Sequence, residues 1–588
     1  MIRLSEQPIK IKGILDDAVW FVINSQLKDR ETWQNYIDVF AVHADSADER
    51  WRGEYLGKQL RGACCVYMYT RDEELYDMLT WVCRSILKTQ DEQGRISTYK
   101  LEKEFRGWDI WCRKYILTGL QHYYRICKDE DLKNEILTAC CRHLDYIVDK
   151  IGPGKIEINK TSVWWGAVNS CTILEPTLEL YKMTGDTRYL DFAEYIISTG
   201  GSSDCNLVEL ALDSKLLPFQ YPVTKVYEMM SFYEGLIAYY EVTGEKKYFE
   251  AADRFIEAVA KSDITIIGCA GCTHELFDNS AVRQTEYSDH IMQETCVTVT
   301  WMRLLTRIYL LTGDRKYIDR IEISGYNALY GSLNTKHCRQ LELVSGEYCE
   351  AKTFDSYSPL YMNSRGRGIG GFLRFANGAY GGCCVAIGAC GVALMPLTAV
   401  VRDEEWIYVN YQFRGEAEIR DVDGRKAVLI FDSDYPGGST CRITVQCEET
   451  CRLRIKLRKP GWCEKMIVNG SSIRCDQYYE ISGVFHDKEE IAFEWETTLK
   501  VHRLNEKVAF TYGAVVLACD SAKSSRAIEA PVTVSDSPGY ELLPPEEDEL
   551  VRIRCMTADG SLLLTDYQSC GKEWEQERNI ITVWLNTK

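Results

Sequence analysis

The chain has 588 residues, of which 46% are hydrophobic and 27% are charged, a composition typical of a globular protein and not of a disordered, collagen-like or coiled-coil one. Its 69 basic and 87 acidic residues give a formal net charge of -18, which disfavours nucleic acid and anionic membrane surfaces as partners. No run of eighteen uninterrupted apolar residues occurs, so we expect no membrane-spanning segment.

Cysteine is the unusual residue of this composition, with 25 copies. The N-terminal segment alternates polar and apolar side chains and shows neither the apolar core nor the cleavage site of a secretory signal. We therefore expect a cytoplasmic protein, because a reducing compartment keeps thiols free, with most of them buried as small apolar groups. Adjacent pairs are not by themselves a functional signal, since three occur: Cys64-Cys65, Cys140-Cys141 and Cys383-Cys384.

One helix-turn-helix signature recurs along the chain at a nearly regular interval. In its clearest copies a tyrosine-containing helix pattern ends at Gly185, Gly244 or Gly313, an acidic residue follows, and a second helix pattern begins. Glycine favours the left-handed end of a helix, and aspartate caps the start of the next one. With two weaker copies included, intervals of 57, 57, 59 and 69 residues separate the acidic turn residues Asp72, Asp129, Asp186, Glu245 and Asp314.

Five such hairpins, with a sixth supplied by the helical pattern from Val385 to Val401, would close a ring. We therefore predict an (α/α)6 toroid over residues 1–400. Rings of this kind leave a central cleft lined by the ends of the inner helices, which is a usual place for a functional site.

The pattern changes beyond Arg402, where apolar residues recur at every second position between Gly, Pro and Asn-Gly turns. This alternation is typical of antiparallel strands. It predicts a β-sandwich over residues 401–520, followed by a C-terminal β segment over 521–588 that could form a second, partial sandwich. The segment from Pro8 to Gly13 could add a strand to the sandwich.

Sulfur-rich segments are the best metal candidates, because the eight histidines form no HExxH motif and no pair at ligand spacing. Glu294 and Cys296 stand at the start of one helix pattern, and Cys383 and Cys384 follow two glycines at the start of another. Free backbone NH groups stabilise a thiolate at a helix N-terminus. One carboxylate and three thiolates can complete a tetrahedral zinc shell.

Two other interpretations compete with this zinc site. In a chain with so much cysteine, the four residues could include buried thiols with no ligand role. Cys269 and Cys272 also have C-x-x-C spacing, which could bind zinc or form a redox pair.

A family resemblance is carried by an ordered set of motifs over nearly the whole chain. In the helical half these are His290 to Cys296, Tyr326 to Leu329, Tyr357 to Leu360 and Cys383-Cys384. In the β-rich half they are Val409-Asn410, Leu457 to Trp462, Val468 to Gly470 and Val508 to Gly513. In this order they resemble glycoside hydrolase family 127, the β-L-arabinofuranosidase family.

The resemblance implies a retaining glycosidase with one bound zinc ion. It assigns the zinc to Glu294, Cys296, Cys383 and Cys384, and it makes Cys383 the nucleophile. Retention places an attacking group on one face of the sugar and a proton donor on the other. Here a thiolate would replace one of the two usual carboxylates.

The family's acid/base glutamate lies upstream of the zinc-binding glutamate, in a short motif that begins with glycine. The matching segment here runs from His274 to Phe277 and offers Glu275, with His274 in place of the glycine. Asp278 and Glu286 are the alternatives for this role.

Two polar and aromatic segments are suited to stack on a sugar ring and to hydrogen-bond its hydroxyls. One contains Glu54 and Tyr55, and the other contains Trp164 and Trp165; packing of helix ends is the alternative role for both. Arg113 stands where many relatives carry histidine. It could bind a substrate carboxylate through a bidentate fork, or it could pair with a carboxylate of its own helix.

We therefore expect a zinc-dependent retaining exo-glycosidase that acts on a small oligosaccharide or glycoside, with an L-arabinofuranoside as the first candidate. The same mechanism on an acidic or branched sugar is an alternative. A polysaccharide lyase and a non-catalytic sugar-binding protein with structural zinc are two others. Both a monomer and a homodimer are compatible with the sequence.

Overall fold

The structure is a computed structural model that describes residues 1–273, 275–286, 293–336, 341–343, 348–350, 352–362, 367–368, 371–524, 527–572 and 580–588. No helix within these residues has the length and apolar character needed to cross a membrane. In chain order the α-helices are α1 (Ile14–Val22), α2 (Arg30–Ala41), α3 (Gly53–Thr70), α4 (Glu73–Leu87), α5 (Asp109–Ile126), α6 (Glu130–Lys150), α7 (Val168–Cys171), α8 (Leu174–Thr184), α9 (Thr187–Ser198), α10 (Leu207–Asp213), α11 (Val226–Thr243), α12 (Lys246–Ser262), α13 (Ser280–Arg283), α14 (Thr295–Thr312), α15 (Arg315–Ser324) and α16 (Cys383–Ala399).

The recurring turns cap the helices as the sequence predicted. Gly185, Gly244 and Gly313 end α8, α11 and α14 at φ of 70°, 73° and 68°, a left-handed conformation that glycine adopts at little cost. Asp186 and Asp314 then accept hydrogen bonds from backbone NH groups in the first turns of α9 and α15. The repeat is therefore one helical hairpin per interval.

Within the described residues, the inner wall of a ring is formed by α3, α5, α8, α11, α14 and α16. Each of these helices packs against the next, and α16 packs against α3, which closes the ring. The helices α4, α6, α9, α12 and α15 each pack outside the inner helix that precedes them, and α1 packs outside α16. The predicted (α/α)6 toroid is confirmed by this arrangement.

Two glycines allow α3 to approach its neighbours closely. A Cβ at Gly57 would lie 1.9 Å from the carbonyl oxygen of Tyr115 on α5. A Cβ at Gly62 would lie 2.6 Å from the backbone nitrogen of Cys390 on α16. Because both contacts are to backbone atoms, a larger residue at either position would push the inner helices apart.

A network of buried and partly buried charges joins α8, α11 and α14; its members are Glu175, Glu179, Glu234, Glu241, Arg303 and Arg307. In this charge network Arg303 lies 3.3 Å from both Glu175 and Glu234. Arg307 lies 3.1 Å from Glu175, 3.0 Å from Glu179 and 2.7 Å from Glu241. Each carboxylate therefore has a cationic partner, which buried charges require.

The strands before α16 are short: β1 (Arg3–Leu4), β2 (Ile9–Lys12), β3 (Gln293–Glu294), β4 (Leu341–Leu343), β5 (Tyr348–Cys349), β6 (Tyr357–Ser358), β7 (Tyr361–Met362), β8 (Arg367–Gly368), β9 (Phe372–Arg374) and β10 (Tyr380–Gly382). Those after it are β11 (Val400–Arg402), β12 (Ile407–Val409), β13 (Arg414–Arg420), β14 (Lys426–Ser433), β15 (Thr440–Cys447), β16 (Cys451–Arg458), β17 (Met466–Val468), β18 (Ser471–Ile473), β19 (Tyr478–Phe485), β20 (Lys488–Trp495), β21 (Leu499–Leu504), β22 (Lys507–Tyr512), β23 (Val515–Asp520), β24 (Tyr540–Leu543), β25 (Arg552–Thr557), β26 (Gly560–Asp566), β27 (Ile581–Thr582) and β28 (Leu585–Asn586).

Two sheets follow the toroid, with strand orders β1-β11-β12-β16-β19 and β18-β17-β20-β15-β14-β13-β2. The N-terminal strands β1 and β2 lie at an edge of each, so the predicted strand from Pro8 to Gly13 does join the β-rich half. Buried and exposed residues alternate along β15, as the period of two in the sequence predicted. The apolar faces of both sheets belong to the same hydrophobic core as the helical ring.

A third sheet contains β21 to β28 together with β7. It has its own apolar core, formed by residues such as Val508, Phe510 and Ile553. The strand β23 ends at Asp520 and pairs with β26 and β27. The structure therefore corrects the predicted boundary after residue 520, because the consecutive strands β21 to β28, from Leu499 onward, lie on both sides of it and share this sheet.

Arg458 joins the toroid to the strands that follow it. Its buried guanidinium lies 2.8 Å from Asp319 and 2.8 Å from Glu322, both on α15. Tyr435 and Trp462 donate hydrogen bonds of 2.9 and 3.2 Å to Glu322. These ion pairs and hydrogen bonds neutralise the buried guanidinium and hold the sheets against the ring.

Candidate functional site

Four predicted ligand residues meet where two inner helices begin. Glu294 ends β3 and is the N-cap of α14, whose second residue is Cys296. Cys383 and Cys384 are the first two residues of α16. All four are buried, and one ligand atom from each lies within 4.8 Å of the others. We call this set the thiol cluster.

The distances within the thiol cluster suit a single metal ion. The sulfurs of Cys383 and Cys384 are 3.8 Å apart, and the Glu294 Oε1 atom lies 3.4 Å from Cys384 and 3.9 Å from Cys383. A tetrahedral zinc ion with Zn–S bonds of about 2.3 Å would separate two sulfurs by about 3.8 Å. The buried Glu294 Oε2 atom has no hydrogen-bond partner among the described residues. The donor set therefore fits zinc.

The pKa values of the four groups indicate how the thiol cluster would respond to a bound cation. Burial raises the pKa of Glu294 to about 8, and it raises the pKa values of Cys296 and Cys384 well above their usual range. Hydrogen bonds from Cys296 and Cys384 hold the pKa of Cys383 well below its usual range. Without a cation the cluster therefore favours one anion, on Cys383, and a bound dication would release the other protons.

Gly371 covers the Cys383 side chain. A Cβ at Gly371 would lie 2.6 Å from the Cys383 sulfur, and this residue has a φ of 73°. Its carbonyl oxygen accepts hydrogen bonds of 3.0 Å from the Cys383 backbone NH and 3.0 Å from the Tyr55 hydroxyl. Tyr55, predicted to bind substrate, is fully buried. It therefore supports the loop that packs on Cys383.

Glu275 has two neighbours in common with the thiol cluster. Its carboxylate forms a short ion pair with Lys225 and accepts a hydrogen bond of 3.5 Å from the Tyr357 hydroxyl. Tyr357 lies opposite Glu294 in the pairing of β3 with β6. The positive charge of Lys225 also helps to lower the pKa of Cys383. The structure thus places Glu275 beside the cluster without making it a ligand.

The backbone around Glu275 is fixed by β-like contacts. Its φ is 65°, which is uncommon for a residue with a side chain. The carbonyl oxygen accepts a 3.0 Å hydrogen bond from Val226 NH, and Leu276 forms an isolated bridge with Lys225. Glu275 is therefore held against the start of α11.

Glu54 is buried below the cluster and has its own partners. Lys58, one turn along α3, donates a 2.9 Å hydrogen bond to it, and the indole NH of Trp111 donates a second, short one. The Lys58 ammonium also lies 4.4 Å from the ring centre of Tyr227. Burial, with a smaller effect of the nearby Cys383, raises the pKa of Glu54 to about 7. These contacts hold the Glu54 carboxylate and the Lys58 ammonium in fixed positions among aromatic side chains.

Arg113 is paired with carboxylates inside the protein. It is completely buried, and its guanidinium pairs with Asp109 at 2.9 Å and Glu104 at 3.0 Å. The plane lies over the Phe105 ring at 4.9 Å. The role of a substrate carboxylate ligand is therefore corrected, because two internal carboxylates already neutralise this arginine; the pairing with its own helix is the interpretation that the structure supports.

Trp164 and Trp165 remain accessible, with 49% and 36% of their surface exposed. The ring centre of Trp165 lies 5.9 Å from the Lys225 ammonium. Of the residues predicted to bind substrate, these two present exposed surface, and Trp165 lies near the Lys225 that pairs with Glu275.

The alternative residues have other partners. Asp278 accepts hydrogen bonds from Ser280 and from the backbone NH of Cys272, and it pairs with Arg283 at 3.2 Å. Glu286 is exposed and pairs with the same arginine at 3.1 Å. His274 and residues 287–292, which include His290 of the predicted motif, lie outside the described residues.

Both cysteines of the C-x-x-C pair contact β3. Cys269 donates a 3.4 Å hydrogen bond to the backbone oxygen of Glu294, and Cys272 accepts one of 3.4 Å from Gln293. Among the described residues, the group that could hold a metal does not include either thiol.

Lys225 and Gly371 were missed by the sequence analysis. Lys225 directly precedes the apolar and aromatic start of α11, where a lone cation in a run that becomes buried is a usable signal. Gly371 is one of several glycines in its segment, and only the position of Cys383 shows why this one matters.

Comparison with known proteins places these residues in a family context. The sequence pattern of the GH127 β-L-arabinofuranosidase catalytic domain matches residues 18–341, and that of the GH127 middle domain matches residues 406–497. No curated individual protein matches the sequence.

Solved structures with the same fold cover the whole chain. A GH127 β-arabinofuranosidase is 18% identical with a TM-score of 0.76, covering 100% of this chain and 98% of its own. A GH127 β-L-arabinofuranosidase from Geobacillus stearothermophilus T6 is 17% identical with a TM-score of 0.73, covering 100% of both chains. A third structure, a glycoside hydrolase, is 14% identical with a TM-score of 0.68 and covers 100% of this chain and 98% of its own. These likenesses establish the architecture.

Proposed function

The chain belongs to glycoside hydrolase family 127, and we propose that it is a retaining exo-glycosidase that releases a β-L-arabinofuranosyl unit from a small oligosaccharide or glycoside. Cys383 is the nucleophile and Glu275 is the acid/base residue in this proposal. The observation that carries it is the convergence of Cys383 with Glu294, Cys296 and Cys384 within 4.8 Å. Burial, membership of the family and a second carboxylate beside the cluster all support the same assignment.

The first half-reaction joins the sugar to the enzyme. The Cys383 thiolate attacks the anomeric carbon, a carbon–sulfur bond forms, and the bond to the leaving oxygen breaks. Glu275 gives its proton to that oxygen.

The second half-reaction frees the sugar. Water attacks the same carbon, Glu275 accepts the proton of the water, and Cys383 departs as a thiolate. Two inversions give net retention of configuration.

The neighbours of Glu275 have positioning roles. The Tyr357 hydroxyl and the Lys225 ammonium both bond the carboxylate, so its position is fixed between the thiol cluster and α11. The Lys225 charge also stabilises the ionised carboxylate that the second half-reaction needs as a base.

We propose Zn²⁺ as the resident metal of the thiol cluster, held by Glu294, Cys296, Cys383 and Cys384. When bound, zinc would supply the positive charge that keeps these buried groups deprotonated at neutral pH. The tetrahedral fit of the sulfur and oxygen spacings supports this choice over calcium or magnesium, which prefer oxygen ligands.

The preference for a neutral sugar rests on Arg113. Arg113 is the residue that suggested an acidic substrate. Because its guanidinium is buried and paired with Asp109 and Glu104, it no longer supports a substrate carboxylate. We therefore propose the family's neutral pentofuranose as the glycone.

The test is hydrolysis of a panel of p-nitrophenyl and natural glycosides by the zinc-loaded protein, with product configuration followed by NMR from the first minutes. We expect release of L-arabinose from β-L-arabinofuranosides and initial formation of the β-anomer. Initial formation of the α-anomer would contradict the double displacement. Binding of the same sugars without turnover would favour the sugar-binding alternative with structural zinc, and an unsaturated product would favour a lyase.

A reducing compartment is proposed as the place of action. All cysteines among the described residues are free, and three of them are needed as thiolates in the proposed zinc site. Disulfide formation at Cys383 would remove the nucleophile.

A further inference from the structure

Two adjacent indoles, one of which lies near the Lys225 that pairs with Glu275, have no role in the reaction derived above. Trp164 and Trp165 expose 49% and 36% of their surface, and Val163 before them exposes 90%. Neighbouring large apolar side chains that are exposed together often mark a binding surface. An indole face is also suited to stack on the apolar face of a sugar ring.

The backbone that carries these indoles is held in an unusual conformation. Trp165, Gly166 and Ala167 have φ of 53°, 58° and 57°, and two of the three bear a Cβ, which disfavours this region. The Ser203 NH donates a 2.8 Å hydrogen bond to the Gly166 carbonyl, and the Ala167 NH donates one of 2.9 Å to Trp164. Surrounding contacts thus keep the turn in place, as is common at ligand sites.

The position of Trp165 indicates which part of a substrate it would meet. The Lys225 ammonium lies 5.9 Å from its ring centre and also forms an ion pair with Glu275. A glycosidase acid/base residue acts on the leaving oxygen. The group attached to that oxygen therefore lies on the Glu275 side of the scissile bond, which is the side of Lys225 and Trp165.

We propose that Trp165, together with Trp164 beside it in the chain, binds the leaving-group sugar of the proposed oligosaccharide substrate. The inference rests on the proposed function through the role of Glu275. The exposed indoles favour a pyranose or furanose ring over a small alcohol, because only a ring presents a face of C–H bonds wide enough to cover them.

The same site would receive an acceptor sugar in the second half-reaction. A hydroxyl of the acceptor attacks the anomeric carbon in place of water, Glu275 takes the hydroxyl proton, and the carbon–sulfur bond to Cys383 breaks. Glycosyl transfer to added L-arabinose is thus a second readout of the site.

The test compares two β-L-arabinofuranosides that differ only in the leaving group: a disaccharide with L-arabinose, and the methyl glycoside. For Trp165→Ala, we expect the ratio of kcat/KM for the disaccharide to kcat/KM for the methyl glycoside to fall about tenfold. Trp165→Phe keeps a ring and should restore most of the ratio. Trp164→Ala should also lower it, and it provides a second test if Trp165→Ala does not fold.

Trp20→Ala is the matched control, because Trp20 is 37% exposed on α1 and should leave both substrates unaffected. An unchanged ratio in folded Trp165→Ala and Trp164→Ala variants would overturn the leaving-group site while the proposed function stands. Hydrolysis of neither substrate by the wild-type protein would overturn the proposed function and the inference with it.

Discussion

The thiol cluster and the charge network are built on the same ring of inner helices and solve the problem of buried charge in opposite ways. In the charge network, Arg303 and Arg307 lie one turn apart on α14 and neutralise carboxylates from α8 and α11. In the thiol cluster, four acidic groups meet, and the nearby cations Lys58 and Lys225 already pair with Glu54 and Glu275.

The same residue type therefore behaves differently in the two regions. Burial acts to raise the pKa of Glu179, but Arg307, Lys182 and Arg125 together outweigh it and lower the pKa to about 2. Glu294 is more deeply buried than Glu179, and there burial raises the pKa to about 8. The charge network contains two arginines of its own, and within it burial still raises the pKa of Glu234 to about 7, whereas the four members of the thiol cluster are all acidic groups, a set that could hold a cation.

Removal of the proposed nucleophile should have the largest effect on activity. Cys383→Ser should lower kcat of the zinc-loaded enzyme by at least about 10⁴-fold, because a serine hydroxyl is a much weaker nucleophile than a thiolate. Steady-state hydrolysis of an aryl β-L-arabinofuranoside measures this loss, and circular dichroism checks the fold.

Cys140→Ser is the control for this change, since Cys140 is also buried and belongs to an adjacent pair on the outer helix α6. It should keep wild-type kcat. Appreciable turnover by folded Cys383→Ser would refute the nucleophile assignment.

Loss of the acid/base residue should have a smaller effect that depends on the leaving group. Glu275→Gln should lower kcat/KM about 10²–10⁴-fold on natural glycosides. It should lower the rate of the first step less on p-nitrophenyl glycosides, whose leaving group needs little protonation. Added azide should restore turnover of the latter, because azide attacks without a base.

Glu286→Gln tests the alternative assignment, because Glu286 is exposed and pairs with Arg283. Near-wild-type activity is expected. Two results together would move the acid/base role to Glu286: a loss of activity in Glu286→Gln as large as in Glu275→Gln, and no effect of azide on the activity of Glu275→Gln.

Breaking the charge network should affect stability and not chemistry. Arg307→Met removes one cationic partner from each of Glu175, Glu179 and Glu241 and should lower the free energy of unfolding by about 1.5–3 kcal/mol, the usual cost of losing a hydrogen bond to a charged group. Urea denaturation measures the loss. Arg320→Met removes a partly exposed pair with Glu257 and should cost at most about 1 kcal/mol. Equal losses of unfolding free energy in Arg307→Met and Arg320→Met would show that Arg307 does not stabilise the charge network.

Zinc affinity should depend on pH in a way that marks the thiol cluster as the incomplete region. The raised pKa values of Glu294, Cys296 and Cys384 mean that binding releases protons, so affinity should rise by about tenfold per pH unit for each proton released. Competition with a chromogenic chelator between about pH 6 and about pH 8 measures the slope. A flat profile would contradict the protonated state of the metal-free cluster.

The metal-free protein should show the matching stability change. The folded-state pKa of Glu294, at about 8, lies above its usual value of 4.5, so the folded protein binds more protons than the unfolded chain between these values. This contribution to stability therefore falls as pH rises through the interval. Saturating zinc should remove that fall, which thermal melts with and without zinc can detect.

Local signals made much of the toroid predictable. The turns at Gly185 and Asp186 and at Gly313 and Asp314 contain their own capping chemistry, so the sequence indicates the hairpins without knowledge of their neighbours. The closure of the ring and the approach of Glu294 to Cys384, 90 positions apart, depend on packing between repeats. Their positions at predicted helix starts made these residues candidate ligands, and the family resemblance assigned them to one site.

The mistaken or missed points share a physical cause. Of the two roles that the sequence left open for Arg113, the pairing with a carboxylate of its own helix is the one observed, with Asp109, and its second partner Glu104 becomes evident only when the turn before α5 is in place. Lys225 is separated from Glu275 by 50 positions. The boundary after residue 520 failed because alternation identifies a strand but does not identify the sheet to which it belongs.

The N-terminal strands tie the order of synthesis to the order of assembly. Arg3–Leu4 and Ile9–Lys12 lie at the edges of two sheets whose neighbouring strands begin at Val400 and Arg414. At about 5–20 residues per second, a ribosome needs roughly 20–80 s to deliver those partners. During that time the nascent segment has no sheet to join, and both sheet edges are capped only when the first part of the chain meets a much later one.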